Sequence, residues 1–254
     1  NIDGAASVTL TTAHQSREVF SDGANWWLLD AGATAPTDPY WANVVLMLHG
    51  DGANDGATIT DSSSYARSST AYRSGSKTVT TEKKFGTASI TAAASTGSHQ
   101  FSDSTDFALS GAFTFEFWIK TVVQASDGYL FAGYEAGSGG RYWIVNTSGT
   151  TLNFVLWPVT ISVITLTQGQ WTHIAISRDG SGYFRVFKDG VEIYGATHAA
   201  SYTGAIEFSV TNLALEQWTT QASFAGYIDD VRFTQGVARY TSAFDVPTEA
   251  FPNQ

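Results

Sequence analysis

Cysteine is missing altogether from the 254 residues. No disulfide and no thiolate metal site can therefore exist, and redox chemistry says nothing about the compartment. Charge is also scarce: Asp, Glu, Lys and Arg make up 14% of the chain, against about 25% in ordinary soluble proteins. Gly, Ser and Thr take their place, a composition suited to an extracellular or virion β-protein. With 13 basic residues the formal net charge is −10. No basic stripe is available to release counterions from a phosphate backbone, so nucleic acid is excluded as a partner. No apolar run reaches the roughly 18 residues of a membrane helix, and no signal-like leader opens the chain, so neither membrane insertion nor a signal peptide is expected. The start at Asn1 rather than Met is what a processed product or a piece of a longer protein would show. Helical periodicity is absent throughout.

What is present is a succession of short apolar and β-branched runs separated by turn residues. Between residues 170 and 194 the run Trp171-Thr-His-Ile-Ala-Ile-Ser177 gives way to Asp179-Gly-Ser-Gly182. Tyr183-Phe-Arg-Val-Phe-Lys188 follows, then the turn Asp189-Gly190 and a third strand. Asp-Gly between apolar runs is a strong hairpin signal, because both central residues of a type I′ turn need positive φ. Over 113–120 strict alternation puts Phe113, Phe115, Phe117 and Ile119 on one face and Thr114, Glu116, Trp118 and Lys120 on the other. Four large apolar groups on one face mark a core, each contributing about 1.5–3 kcal/mol when buried. The continuous apolar run Val44-Val-Leu-Met-Leu48 predicts a fully buried strand. Further strands are predicted at 58–61, 77–81, 85–92, 129–132, 141–146, 151–157, 161–166, 205–210 and 227–233, with 62–76 as a polar connection. Such a series predicts an all-β sandwich.

The first 30 residues read as a small β-hairpin module, with runs at 7–11, 18–21 and 25–29 and a turn at Asp22-Gly23. It is too small to be stable alone and must pack on something. Residues 31–39, small, polar and proline-bearing, read as a linker. Residues 40–254 form the sandwich.

Three separated stretches, in order, carry a resemblance. They are 113–120, 171–192 (Trp-Thr-His-Ile-Ala through Arg178-Asp-Gly180 to Asp189-Gly190-Val-Glu192) and 226–240 (Gly-Tyr-Ile-Asp-Asp-Val-Arg-Phe-Thr-Gln-Gly-Val-Ala-Arg-Tyr). Together they resemble laminin-G-like, concanavalin A-like jelly rolls, and the third resembles the closing strand and tail of bacteriophage versions. The resemblance implies an antiparallel jelly-roll β-sandwich over most of the chain. Ser21-Asp-Gly-Ala-Asn-Trp26 resembles a hairpin module of phage tail and fibre proteins, often within trimers; a hairpin folded onto its own sandwich reads equally well.

Catalysis finds little to work with. Retaining glycosidases need two carboxylates about 5–5.5 Å apart, which a strand supplies as Glu-x-Asp-x-Glu. That triplet is absent, as is Gly-x-Ser-x-Gly, so no enzyme is expected. For metal, the resemblance points to Ca²⁺ at Asp51, in the His49-Gly-Asp-Gly52 loop, and at Asp229 or Asp230. The other reading is that Asp51 caps a glycine turn and that the aspartate pair bonds Arg232 or backbone amides. For carbohydrate, aromatic rings on edge loops beside polar groups are the chemistry required. Tyr134, Arg141, Tyr142, Trp143, Trp157 and Trp218 are the candidates, with core or subunit-interface positions as the alternative for Tyr142, Trp143 and Trp157. The function expected is a non-enzymatic, lectin-like module on the surface of a phage virion, in a tail fibre or another appendage. It would bind host-surface glycan, contact other virion proteins and assemble as a homo-oligomer, a trimer if the fibre resemblance holds. The alternatives are a purely structural virion decoration domain and, behind it, a glycan-active hydrolase.

Overall fold

The computed structural model describes residues 19–21, 26–28, 37–72, 75–92, 98–122, 128–135, 141–148, 150–156, 159–198, 206–210 and 224–254. The strand expected at 7–11, the Asp22-Gly23 turn, most of the 31–39 linker, Trp157 and Trp218 lie outside the described residues. The chain forms two compact units, 1–41 with 252–254, and 42–251. In the first, β1 (Val19–Ser21) pairs antiparallel with β2 (Trp26–Leu28), Ser21 opposite Trp26.

The second unit is an antiparallel sandwich. Its strands are β3 (Val44–Leu48), β4 (Ser69–Tyr72), β5 (Ser76–Val79), β6 (Ser89–Ala92), β7 (Ser98–Ser104), β8 (Phe113–Thr121), β9 (Gly128–Glu135), β10 (Arg141–Ser148), β11 (Thr151–Leu156), β12 (Val159–Thr165), β13 (Trp171–Arg178), β14 (Tyr183–Lys188), β15 (Val191–Thr197), β16 (Ile206–Val210) and β17 (Gly226–Gln235). One sheet runs β12-β11-β10-β9-β16-β7-β4. The other runs β15-β14-β13-β8-β17-β6-β5, with β3 also pairing β17. β5-β6, β9-β10-β11-β12 and β13-β14-β15 pair as sequence neighbours, and the remaining connections cross over; at Asp189-Gly190 φ is +48° and +76°, the positive pair a type I′ turn requires.

The alternation along β8 is realised. Phe113, Phe115, Phe117 and Ile119 all face the core. From the opposite sheet Phe131 meets Phe115 edge-on, with centroids 4.9 Å apart, and Trp143 and Phe208 pack on the same ring at 5.6 and 5.9 Å. Trp143 reaches this position over Gly133, where a Cβ would collide with the indole. Aromatic pairs of this geometry add about 0.5–1.5 kcal/mol each to the area they bury.

Two expectations are corrected. No strand forms at 58–61, because the Asp61 carboxylate takes the amides of Met47, Ser63 and Arg67 and the Ser63 hydroxyl, folding the chain into a loop there. Two strands arise where none was expected: β4, inside the stretch read as a connection, and β7. Ser-Thr-Ala-Tyr and Ser-His-Gln-Phe-Ser-Asp-Ser lack the apolar alternation that marks a strand, and the two exist through pairing with each other and with β16.

Candidate functional site

The outer face of the eight-stranded sheet carries the densest charged chemistry among the described residues. Cross-strand register aligns His173, Trp118 and Asp229 in one row and Ala175, Glu116 and Arg232 in the next. Glu116 is fully buried. Its Oε1 accepts from Arg232 Nε and Nη2 at 2.9 and 2.8 Å, with Arg239 Nε 4.0 Å away. Its Oε2 accepts from the Tyr240 hydroxyl at 2.8 Å. His173 Nε2 lies 3.4 Å from the same oxygen, in ion-pair range but not aligned as a hydrogen bond. Burial pushes the Glu116 carboxyl up, but Arg232, followed by His173 and Arg239, outweighs it and brings the group down to about 2. Burial, with Glu116 adjacent, raises Tyr240 above its ordinary value.

This face is roofed by the tail, residues 236–251. Thr114 Oγ1 donates to the Val237 carbonyl and accepts from the Arg239 amide. Tyr240 stacks on Phe244 at 3.6 Å, and Phe244 packs edge-on against Phe187 and His173. The Arg232 guanidinium sits 3.8 Å over the Phe251 ring. A carboxylate so enclosed, ionised and paired has neither the access nor the proton of a general acid. Its arrangement holds the tail to the sheet.

The three aspartates expected at a metal are placed as acceptors. Asp51 Oδ1 takes the Thr87 amide and hydroxyl and the Ala88 amide. Asp230, at φ +47° in the bulge of β17, accepts from His49 Nδ1 at 2.6 Å and from the Phe251 amide at 2.8 Å. Asp229 Oδ2 takes the Lys84 and Phe85 amides at 2.6 and 3.1 Å. Its Oδ1 is buried and has no hydrogen-bond partner among the described residues. Burial pushes this carboxyl up to about 7, against the two amides that favour its ionised form. Among the described residues no three His, Asp or Glu side chains are grouped to hold a metal. Six to eight oxygen ligands are what calcium demands; each of these three carboxylates gives at least one oxygen to backbone amides.

The carbohydrate candidates divide. Trp143 is 1% exposed and lies in the core, so no face of its ring is open to a ligand. Tyr134 and Arg141 are register partners at the end of the seven-stranded sheet, and Glu207 lies opposite Tyr134 on the other side. Tyr142 is the extra residue of a bulge between Arg141 and Trp143. The same end of the sheet receives the 61–68 loop leading into β4 and the end of β7, since Ser69 pairs with Phe101 and Ser104 with Ile206. Tyr65 in that loop is 47% exposed. Nothing in the sequence marks it, because an isolated Tyr in a serine-rich stretch carries no spacing signal.

A family model described as the concanavalin A-like lectin/glucanases superfamily, of the laminin-G-like type, matches residues 93–239. No curated protein sequence matches the chain. Among solved structures the chain is similar to the ligand-binding domain of botulinum neurotoxin serotype D in complex with N-acetylneuraminic acid. The TM-score is 0.57 at 13% identity, over 84% of this chain and 49% of that one. It is similar also to domain 4 of AbnA, a GH43 extracellular arabinanase from Geobacillus stearothermophilus, in complex with arabinotriose. There the TM-score is 0.55 at 17% identity, over 77% of this chain and 94% of that one. The chain thus spans about half the length of the toxin domain and nearly all of the arabinanase domain. Identities this low establish a shared fold.

Proposed function

The chain belongs to the concanavalin A-like lectin/glucanases superfamily, and from that premise we propose that it is a non-enzymatic carbohydrate-binding module of a phage virion surface protein. It attaches to host-surface glycan through the end of its seven-stranded sheet. The observation that carries the reading is the convergence there of four strand ends and a loop, with Tyr134, Arg141 and Glu207 aligned in one register row. Sugar complexes of two proteins of the same fold, one with N-acetylneuraminic acid and one with arabinotriose, support it. The absence of catalysis rests on Glu116, sealed beneath the tail, and on the lack of a paired-carboxylate strand. The virion assignment rests on the phage-like 226–240 and 21–26 stretches. Modest affinity at each copy is raised by multivalent display on a homo-oligomeric appendage.

The test is binding of the labelled chain, presented as a multimer, to bacterial cells and to a panel of bacterial glycans. Saturable binding competed by a defined sugar is the expected result. A folded chain that binds neither cells nor glycans across suitable hosts would transfer the assignment to a structural decoration domain. Release of reducing ends from any oligosaccharide on the panel would restore the hydrolase.

A further inference from the structure

The geometry points to a sugar subsite built on Tyr65, Arg67, Ser104 and Asp106, specific for neutral rather than acidic oligosaccharide; it rests on the proposed carbohydrate binding and names where and what is bound. Arg67 is the pillar. Its Nε donates to the Val45 carbonyl at 3.0 Å, its Nη2 to Asp106 Oδ2, and its guanidinium is held between two rings, 5.0 Å from the centroid of buried Phe107 and 4.5 Å from that of Tyr65. A guanidinium fixed by two hydrogen bonds and a core ring holds one face of Tyr65 in place. The residue's exposure shows that its surface is left to solvent. A preorganised aromatic platform is what stacking on the C–H face of a pyranose requires, since no side-chain freedom is then lost on binding.

The polar partner stands beside it. Ser104 Oγ donates to Asp106 Oδ2 at 2.8 Å and accepts from the Asp106 amide at 3.1 Å, which fixes the carboxylate at the end of β7. Among the described residues Oδ1 of Asp106 receives no hydrogen bond, and the side chain is 32% exposed. That oxygen is a ready acceptor for ligand hydroxyls. Ala66, between the platform and its pillar, has φ +45°. A non-glycine residue in that region is strained and persists where surrounding structure enforces it, commonly at ligand sites. Here the Asp61 carboxylate, bound to the Arg67 amide at 2.9 Å, enforces it.

Charge decides the ligand class. The Arg67 cation is already neutralised by Asp106, and the remaining carboxylate oxygen accepts hydroxyl protons but repels a sugar acid; the net charge of −10 acts in the same direction. Position decides its length. β4 and β9 are three strand spacings apart in the order β4-β7-β16-β9, about 14 Å. A neutral oligosaccharide with one residue on Tyr65 reaches the strand ends that carry Tyr134 and Arg141.

The experiment titrates the full chain with maltotriose, cellotriose, arabinotriose and galactotriose, with their monosaccharides and with sialyllactose, by calorimetry and ligand-observed NMR. It compares wild type with Tyr65→Ala, Tyr65→Phe and Tyr134→Ala. The expected result is binding of at least one neutral trisaccharide, stronger than its monosaccharide. Tyr65→Ala should weaken it about tenfold, Tyr65→Phe should keep it, and neither should change the melting temperature by more than a surface substitution does. Trisaccharide binding unchanged in Tyr65→Ala but lost in Tyr134→Ala would overturn this subsite and leave the lectin reading intact. Preference for sialyllactose would overturn the neutral-sugar assignment. Failure of wild type to bind any of these probes, or the glycan panel, would overturn both.

Discussion

The two sheets put their polar chemistry to opposite uses. On the outer face of the eight-stranded sheet Glu116 is satisfied by Arg232 and Tyr240, with His173 and Arg239 in ion-pair range, beneath a tail of the same chain. At the end of the seven-stranded sheet Tyr65 and Asp106 are held just as firmly, yet keep a surface and an oxygen toward solvent. The first region has the residue types of an active site and is spent on holding the fold together. The second has the plainer composition and the open geometry that ligand binding needs. Residue type alone does not mark a site; unspent valence does.

The comparison is broken most forcefully at Glu116. Glu116→Gln leaves Arg232 buried against a neutral partner, and removing one member of a buried pair costs about 3–5 kcal/mol. Urea unfolding should show that loss while glycan binding per folded molecule stays at the wild-type level. An unchanged midpoint would mean the tail is not held by this network.

The next effect is one of pH, and its two parts have opposite sign. For Asp229 the ordinary value is 3.8 and the folded value about 7. Between them the folded chain binds more protons than the unfolded one, so stability falls as pH rises from about 4 to about 7 and then levels off. For Glu116 the ordinary value is 4.5 and the folded value about 2, so its contribution is complete above about pH 4.5 and is lost as pH falls through about 2. Thermal melts across pH should peak near pH 4–5. Asp229→Asn should flatten the fall between pH 4 and pH 7 and raise stability at pH 8 by up to about 4 kcal/mol. A slope that survives the substitution would place it on another group.

Smaller effects sharpen the contrast. Chelator should leave the melting temperature where it is, because Asp51, Asp229 and Asp230 each already serve backbone amides; a fall of several degrees would place a cation at these aspartates. Smallest of all, Arg141→Ala at the sheet end should alter stability by less than about 0.5 kcal/mol while weakening glycan binding. A denaturation midpoint that moved as far as that of Glu116→Gln would make the open region as structural as the closed one.

Much of the sandwich was legible. β8 and β3 announced themselves by alternation and by continuous apolarity, and Asp189-Gly190 by its turn chemistry. These signals are local, set by side-chain period and backbone sterics within a few residues. β4 and β7 were not legible, because Ser-Thr-Ala-Tyr becomes a strand only when β7 presents a partner. The site was less legible still. Trp143 is a candidate in the chain and Tyr65 is not. The structure buries Trp143 over Gly133 and against Phe115 of the other sheet, and leaves Tyr65 on the surface atop Arg67, itself held by Val45 and Asp106 from distant parts of the chain.

By itself, then, the sequence determined that the chain is all-β, that Phe113 to Ile119 face a core, and where the tight turns fall, since each follows from neighbours along the chain. The tertiary structure alone decided that Glu116 is a strut, that three aspartates serve amides, and that Tyr65, Asp106 and the Tyr134 strand end share one edge. Burial and pairing are long-range properties: a carboxylate's partners and its access to solvent are set by whichever strand, loop or tail the fold lays against it.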